Sequence, residues 1–157
     1  DQSLIARHVG DLQIGVYVAP SYVERLGAPA HPRELQNTDH CIVGFLSSRT
    51  SKIDPLVLCS ENERIEITGN YVLAVDDGNA YHEAGLVGLG VIALPNYMAA
   101  AHQAVGALIP LFTQWRISPM PLYLAFPRNR HVNAKLRVFI DWIVEVMLQH
   151  VPIANNQ

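Results

Sequence analysis

Two rhythms of apolar and polar residues, one of period two and one of about 3.6, divide this chain into short elements. The clearest change from one to the other lies between Asn70 and Asn96. Tyr71–Val75 is an apolar run with β-branched members, and Asp76-Asp77-Gly78-Asn79 breaks it with side chains that favour turns and helix caps. A strand ends there. From Asn79 the apolar spacing lengthens to Ala80, Ala84 and Val87, the stripe of a short helix that lays one face on a sheet. Gly88 and Gly90 suit its left-handed stop. Residues 91–94 are apolar throughout, as in a strand covered on both faces, and Pro95 closes it. This β-α-β pattern predicts two parallel strands, with the helix's first amides at the carboxyl edge of the sheet, where open α/β folds place ligands.

The rest of the pattern extends that sheet. Residues 13–19 read as a strand, followed by a helix opened by Ser21 with Glu24 three residues on, an S-x-x-E capping box, and ended by Gly27. Pro29 and Pro32 stiffen the connection, and residues 31–35 predict one helical turn. Residues 41–45 are the next strand. The polar loop 47–52 delivers strands at 53–58 and 64–68, joined by the turn at 60–63, with Ile65 and Ile67 alternating with Glu66 and Thr68 as in a half-exposed hairpin arm. After Pro95 come an alanine-rich helix over 96–103 ended by Gly106, a strand over 108–112, an aperiodic linker over 114–119 and a strand over 122–126. Asn133 caps the longest helix, whose core stripe runs Leu136, Phe139, Ile140, Ile143 and Met147. Leu4, Ile5 and Val9 read as part of an extended segment with nothing before it to pair with, as expected of a truncated chain.

Composition narrows the function more than the fold. The chain has 157 residues, 50% hydrophobic and 16% charged, with a net charge of −3, which disfavours disorder and coiled coil. Lys and Arg are too few and scattered for a nucleic-acid stripe. No apolar run reaches the length of a membrane span and no signal peptide opens the sequence, so a cytosolic protein is expected. Cys41 and Cys59 lie in apolar strands and read as buried thiols rather than a disulfide.

Candidate chemistry is sparse. The glycines of Gly85-Leu86-Val87-Gly88-Leu89-Gly90 come in the reverse order of a dinucleotide loop and at the end of a helix, so they pack rather than cradle phosphate. The seven histidines show no pair at metal-ligand spacing and read as surface residues. Asp76 and Asp77 read as helix caps rather than an acid pair, and Ser21 and Ser47 have no positioned base. A binding cleft without a reaction is the outcome: no catalytic residue, no metal, no cofactor, and no enzyme.

Seven blocks in order are similar to the effector-binding domain of LysR-type transcriptional regulators. They are DQSLIAR, VYVAPSYVERLGAP, HCIVGF, Asp77-Gly78-Asn79, AGLVGLGVIALP, PLYLAFPRNRHV and LRVFIDWI. The resemblance implies an α/β periplasmic-binding-protein-like type 2 fold of two lobes, with residues 11–118 as the second lobe and 1–10 with 119–157 as the remainder of the first. It implies an effector held by the second lobe through Leu46-Ser47-Ser48 and Asp77-Gly78-Asn79. The amides of Asn79, Ala80 and Tyr81 at the predicted helix start favour a carboxylate there if Asp76 and Asp77 cap the helix or turn to solvent, and a neutral or donor-bearing ligand if they face the cleft. The resemblance also implies DNA contact only through an N-terminal winged helix-turn-helix outside this chain. The stripe Leu136, Phe139, Ile143 and Met147, which so small a first lobe cannot bury, predicts a homo-oligomer, and no membrane partner is expected. Close relatives carry Asn where this chain has Asp76. A solute receptor of the same fold for a transporter is the second reading.

Overall fold

The computed structural model describes residues 4–37, 39–127 and 134–150. In chain order the elements are β1 (Leu4–Leu12), β2 (Ile14–Val18), α1 (Pro20–Leu26), α2 (Glu34–Asn37), β3 (Ile42–Phe45), β4 (Leu56–Cys59) and β5 (Arg64–Ile67). Then follow β6 (Tyr71–Val75), α3 (Gly78–Leu86), β7 (Ile92–Pro95), α4 (Asn96–Ala104), β8 (Ile109–Leu111), β9 (Met120–Pro127) and α5 (Ala134–His150). The chain divides into two compact units, Asp1–Gln13 with Pro119–Gln157, and Ile14–Ser118.

The larger unit is built on a mixed sheet. β6 runs parallel to β3, β2 is antiparallel to both β7 and β8, and a single parallel bridge between Ile42 and Val91 joins the two halves. The order is therefore β6-β3-β7-β2-β8. The crossover through α3 does give parallel strands, but β3 lies between them. Two backbone hydrogen bonds make the junction: Val43 donates to the Val91 carbonyl at 3.0 Å, and Val91 donates to the Cys41 carbonyl at 2.9 Å. Gly90 permits this approach, because a Cβ there would lie 3.0–3.1 Å from the backbone atoms of Cys41, Ile42 and Val43. Gly88 alone serves as the left-handed stop, at φ +76°, where Leu89 donates to the Ala84 carbonyl and Gly88 to the Gly85 carbonyl.

Alternation along the strands then sorts side chains onto two buried faces. Val16, Val18, Ile42 and Val91 pack with Tyr22, Leu35 and the β4–β5 hairpin residues Leu58, Ile65 and Ile67. On the opposite face Tyr17, Val43, Ile92 and Leu94 pack with Tyr81, Ala84, Ala99 and Leu108 from the α3–α4 side. Among the described residues β6 pairs with β3 alone, and Val72 and Leu73 of its apolar run are exposed.

Three local expectations change. α1 starts at Pro20 with Ala19 as its N-cap and no side-chain cap, so Ser21 lies inside the first turn and the capping box does not form. Pro20 takes the first helical position, where a missing N–H costs nothing. β4 starts at Leu56 instead of 53, because Pro55 has no amide to donate and Ile53 makes only an isolated bridge to Leu46. Cys41 and Cys59 are free thiols, as read, yet only half-buried.

In the smaller unit β1 and β9 form an antiparallel ladder from Leu4↔Pro127 to Leu12↔Met120, with a bulge between His8 and Gly10. α5 lies on β1, helped by an exposed ion pair from Arg7 to Asp141 at 3.1 Å. Of the stripe expected on α5, Ile140 is buried, Leu136, Ile143 and Met147 are half-buried, and Phe139 is exposed beside Val138 and Trp142. Asn133, expected as the cap, lies outside the described residues.

Gly90→Ala should lower the stability of the larger unit by about 1–3 kcal/mol, since backbone on both sides must move to admit the methyl group. A urea unfolding midpoint equal to that of the parent chain would remove the junction from this role.

Candidate functional site

The carboxyl edge of the parallel strands is where the chain turns polar. Phe45 and Val75 are register partners at the ends of β3 and β6, and Leu46 donates to the Val75 carbonyl at 2.7 Å. The segments that follow, Leu46-Ser47-Ser48 and Asp76-Asp77-Gly78-Asn79, therefore leave the sheet side by side. The serine loop is folded on itself: Ser47 donates to the Lys52 carbonyl at 2.9 Å and Ser51, at φ 53°, donates back to the Ser47 carbonyl at 2.8 Å. Ser47 is half-buried and Ser48 exposed.

Asp77 is the N-cap of α3, with its carboxylate accepting from the Ala80 amide at 2.8 Å and its carbonyl from the Tyr81 amide at 3.0 Å. The helix begins at Gly78, one residue before the position read from the apolar spacing. This changes which amides are free. Ala80 and Tyr81 are satisfied within the chain, while the Gly78 and Asn79 amides have no protein acceptor among the described residues. Asp76, Asp77, Gly78 and Asn79 are all exposed. The capping carboxylate favours the helix by about 0.5–2 kcal/mol and places one negative charge beside those two amides.

Tyr81 fixes the helix to the sheet. Its hydroxyl accepts from the Ala93 amide of β7 at 2.9 Å, on the side where β7 has only one bridge to β3, and its ring meets Phe45 edge-on at 5.5 Å. Burial raises its pKa above the ordinary 10.0, with the bond from Ala93 opposing.

The same edge continues to the end of β7 and the start of β2. There a cavity of about 220 Å³ is lined by Ile14, Tyr17, Asn96, Phe112, Thr113 and Trp115, among others, all within the larger unit. Tyr17 donates to Asn96 Oδ1 at 3.0 Å and forms its polar wall. Space of this size holds one ring, since a cavity of about 150 Å³ accepts benzene. The sequence reading missed these residues. The one available signal was Asn96, a polar side chain directly after Pro95 at the end of a parallel strand.

Two histidines expected at the surface are largely covered: His40, whose Nδ1 lies 3.0 Å from the Tyr22 hydroxyl, and His82, whose Nε2 is buried without a hydrogen-bond partner. Among the described residues no three His, Cys, Asp or Glu converge as a metal site, and no helix is long and apolar enough to cross a membrane.

Comparison with known proteins gives one family. The LysR substrate binding domain matches residues 1–148. An HTH-type transcriptional repressor of Pseudomonas aeruginosa is 27% identical over 153 residues, 98% of this chain and 48% of the relative. The HTH-type transcriptional regulator CrgA of Neisseria meningitidis is 29% identical over 146 residues, 92% of this chain and 47% of the relative. The chain thus spans about half the length of the curated relatives it matches. Among solved structures, the regulatory domain of CrgA superimposes with a TM-score of 0.75 at 24% identity, covering 93% of this chain and 70% of that one. The regulatory domain of AphB from Vibrio vulnificus gives 0.70 at 24%, covering 92% and 71%. These likenesses establish the periplasmic-binding-protein-like type 2 fold.

Tyr81→Phe should cost about 1–3 kcal/mol at neutral pH, because the Ala93 amide loses its acceptor. In the parent chain the raised pKa keeps the folded hydroxyl protonated while the unfolded one ionises, so its stability is complete below pH 10.0 and lost as pH rises through the folded value. Urea midpoints at neutral and at about pH 10.5 should show the variant weaker at the first and less sensitive to the change.

Proposed function

This chain belongs to the LysR substrate binding domain family, and on that premise we propose that it is the effector-sensing module of a LysR-type transcriptional regulator. Residues 11–118 are assigned to the second lobe of the fold, and 1–10 with 119–157 to the first. A small molecule binds at the carboxyl edge and shifts the balance between conformations, and a winged helix-turn-helix elsewhere in the regulator reads that shift on DNA, in the cytoplasm. The solute-receptor reading is second, because the relatives that match are regulators.

The observation that carries the proposal is the pair of unclaimed amides, Gly78 and Asn79, beside the serine loop. An acceptor group of the effector, in the simplest case a single carboxylate, sits on these amides, and Ser47 and Ser48 donate from the neighbouring loop. Gly78 leaves the approach open, with nothing within 4 Å of where a Cβ would stand. Asp77 limits the charge. At about 4 Å and an effective dielectric near 20, two carboxylates repel by about 4 kcal/mol, more than the roughly 2 kcal/mol a helix terminus supplies at best. The effector carboxylate therefore stands farther from Asp77 than that, and a second negative charge is excluded.

Copies of the chain associate through the smaller unit. Val138, Phe139 and Trp142 of α5 are exposed, with Leu4 of β1 and Met120 and Tyr123 of β9. Covering such side chains gains about 25 cal/mol per Å².

A panel of small monocarboxylates, titrated calorimetrically into the chain, should contain a binder. Ser47→Ala and Asn79→Pro should each weaken it about tenfold, or about 1.4 kcal/mol. A panel without a binder, or unchanged affinity in both variants, refutes the site.

A further inference from the structure

A second cavity, of about 640 Å³, opens between the β4–β5 turn and the segment after β8, with His31, Cys59, Glu61, Asn62, Trp115 and Arg116 in its wall. That volume lies within the roughly 300–1,000 Å³ usual for small-molecule sites. Its frame is backbone. Cys59 donates to the Arg116 carbonyl at 2.8 Å and Arg116 to the Cys59 carbonyl at 2.7 Å, while Ser60 donates to the Glu63 carbonyl at 2.8 Å to close the turn.

The side chains divide into those already engaged and those unspent. Glu63 is held by Arg33 through Nε at 2.9 Å and through Nη2. His31 accepts at Nδ1 from the Arg33 amide at 3.2 Å, and its Nε2 lies 3.8 Å from Glu63. Its ring stands edge-on to Trp115 at 5.2 Å. Arg116 and Glu61, in contrast, are exposed, and among the described residues neither side chain has a hydrogen bond or an ion pair. The Asn62 side chain is equally unengaged. One free cation and one free anion thus share a wall with an indole and an imidazole.

We propose that this cavity binds a zwitterion of the α-amino-acid class, separately from the effector at the carboxyl edge. The ligand's carboxylate takes the Arg116 guanidinium, a fork suited to two parallel hydrogen bonds, and its ammonium takes Glu61. Its side chain lies against Trp115 and His31, with the Asn62 amide available to a polar end. A dianion is disfavoured by Glu61, and an apolar molecule would leave both charges unanswered.

The test uses the chain with Trp142→Phe, which leaves Trp115 as the remaining indole of the two in the sequence. Each of the common L-amino acids is titrated to about 10 mM, a concentration that reaches millimolar binders, with Trp115 emission and its indole N–H resonance as readouts. At least one amino acid should give a saturable change. Its amide, which lacks the carboxylate, and its N-acetyl derivative, which lacks the ammonium, should each bind about tenfold more weakly or worse. Arg116→Gln and Glu61→Gln should do the same with unchanged urea midpoints, while Asn79→Pro leaves the affinity as it was. The proposal is overturned if no amino acid changes either signal, if the blocked derivatives bind as well, or if either charge-removing variant binds like the parent.

Discussion

Two backbone hydrogen bonds, Val43 to Val91 and Val91 to Cys41, decide how this protein is put together. Without them the β6–β3 pair and the β7–β2–β8 ladder are separate sheets, each too small to cover a helix on both sides. With them, one five-strand order carries a core on either face. The junction stops at Val91, and Tyr81 then supplies from its side chain the acceptor that a longer ladder would have given Ala93. The helix whose start defines the candidate site is therefore fixed by a group that repairs the sheet. Gly90 is the residue whose small size makes the arrangement possible.

Local features were legible where one stretch of side chains carries the whole signal. The change from Tyr71–Val75 to the Asp76-Asp77-Gly78-Asn79 turn fixes a strand end and a helix start, and Asp77 caps that helix because its short carboxylate reaches an amide three residues on. Ile65 and Ile67 likewise face the core through nothing but the pleat. The placement of β3 between β6 and β7 was not legible. Val91 meets Ile42 through main-chain atoms, which every residue possesses, so no side-chain pattern records the pairing. The Ser21–Glu24 pair misled for a related reason: a neighbour, Pro20, already occupied the position that defines the helix start. Apart from Asn96, the cavity that also holds Thr113 and Trp115 left no mark in the sequence, because β2, β7 and β8 assemble it from separate parts of the chain.

The electrostatics of the larger unit follow a common rule: the charges that are held locally stabilise structure, and those left over are available for ligands. Asp77 and Glu63 are committed, the one to a helix terminus and the other to Arg33. Commitment does not remove a charge from its surroundings, however, so Asp77 still restricts what a neighbouring amide can accept. Trp115 lines both of these cavities, each walled by polar and apolar groups together. Occupancy of either side bears on the same indole, and any coupling between them acts equally in both directions.

The β1–β9 ladder has a kinetic meaning as well. Even its nearest partners along the chain, Leu12 and Met120, have the whole of Ile14–Ser118 between them, and a two-stranded ribbon returns little free energy for so long a loop closure. Pairing of β2 with β8, where Val16 faces Leu111, already brings the two ends of the intervening stretch together and shortens the remaining closure to about a dozen residues. Folding therefore proceeds from the continuous unit to the discontinuous one, since β9 must emerge during synthesis before this ladder can form.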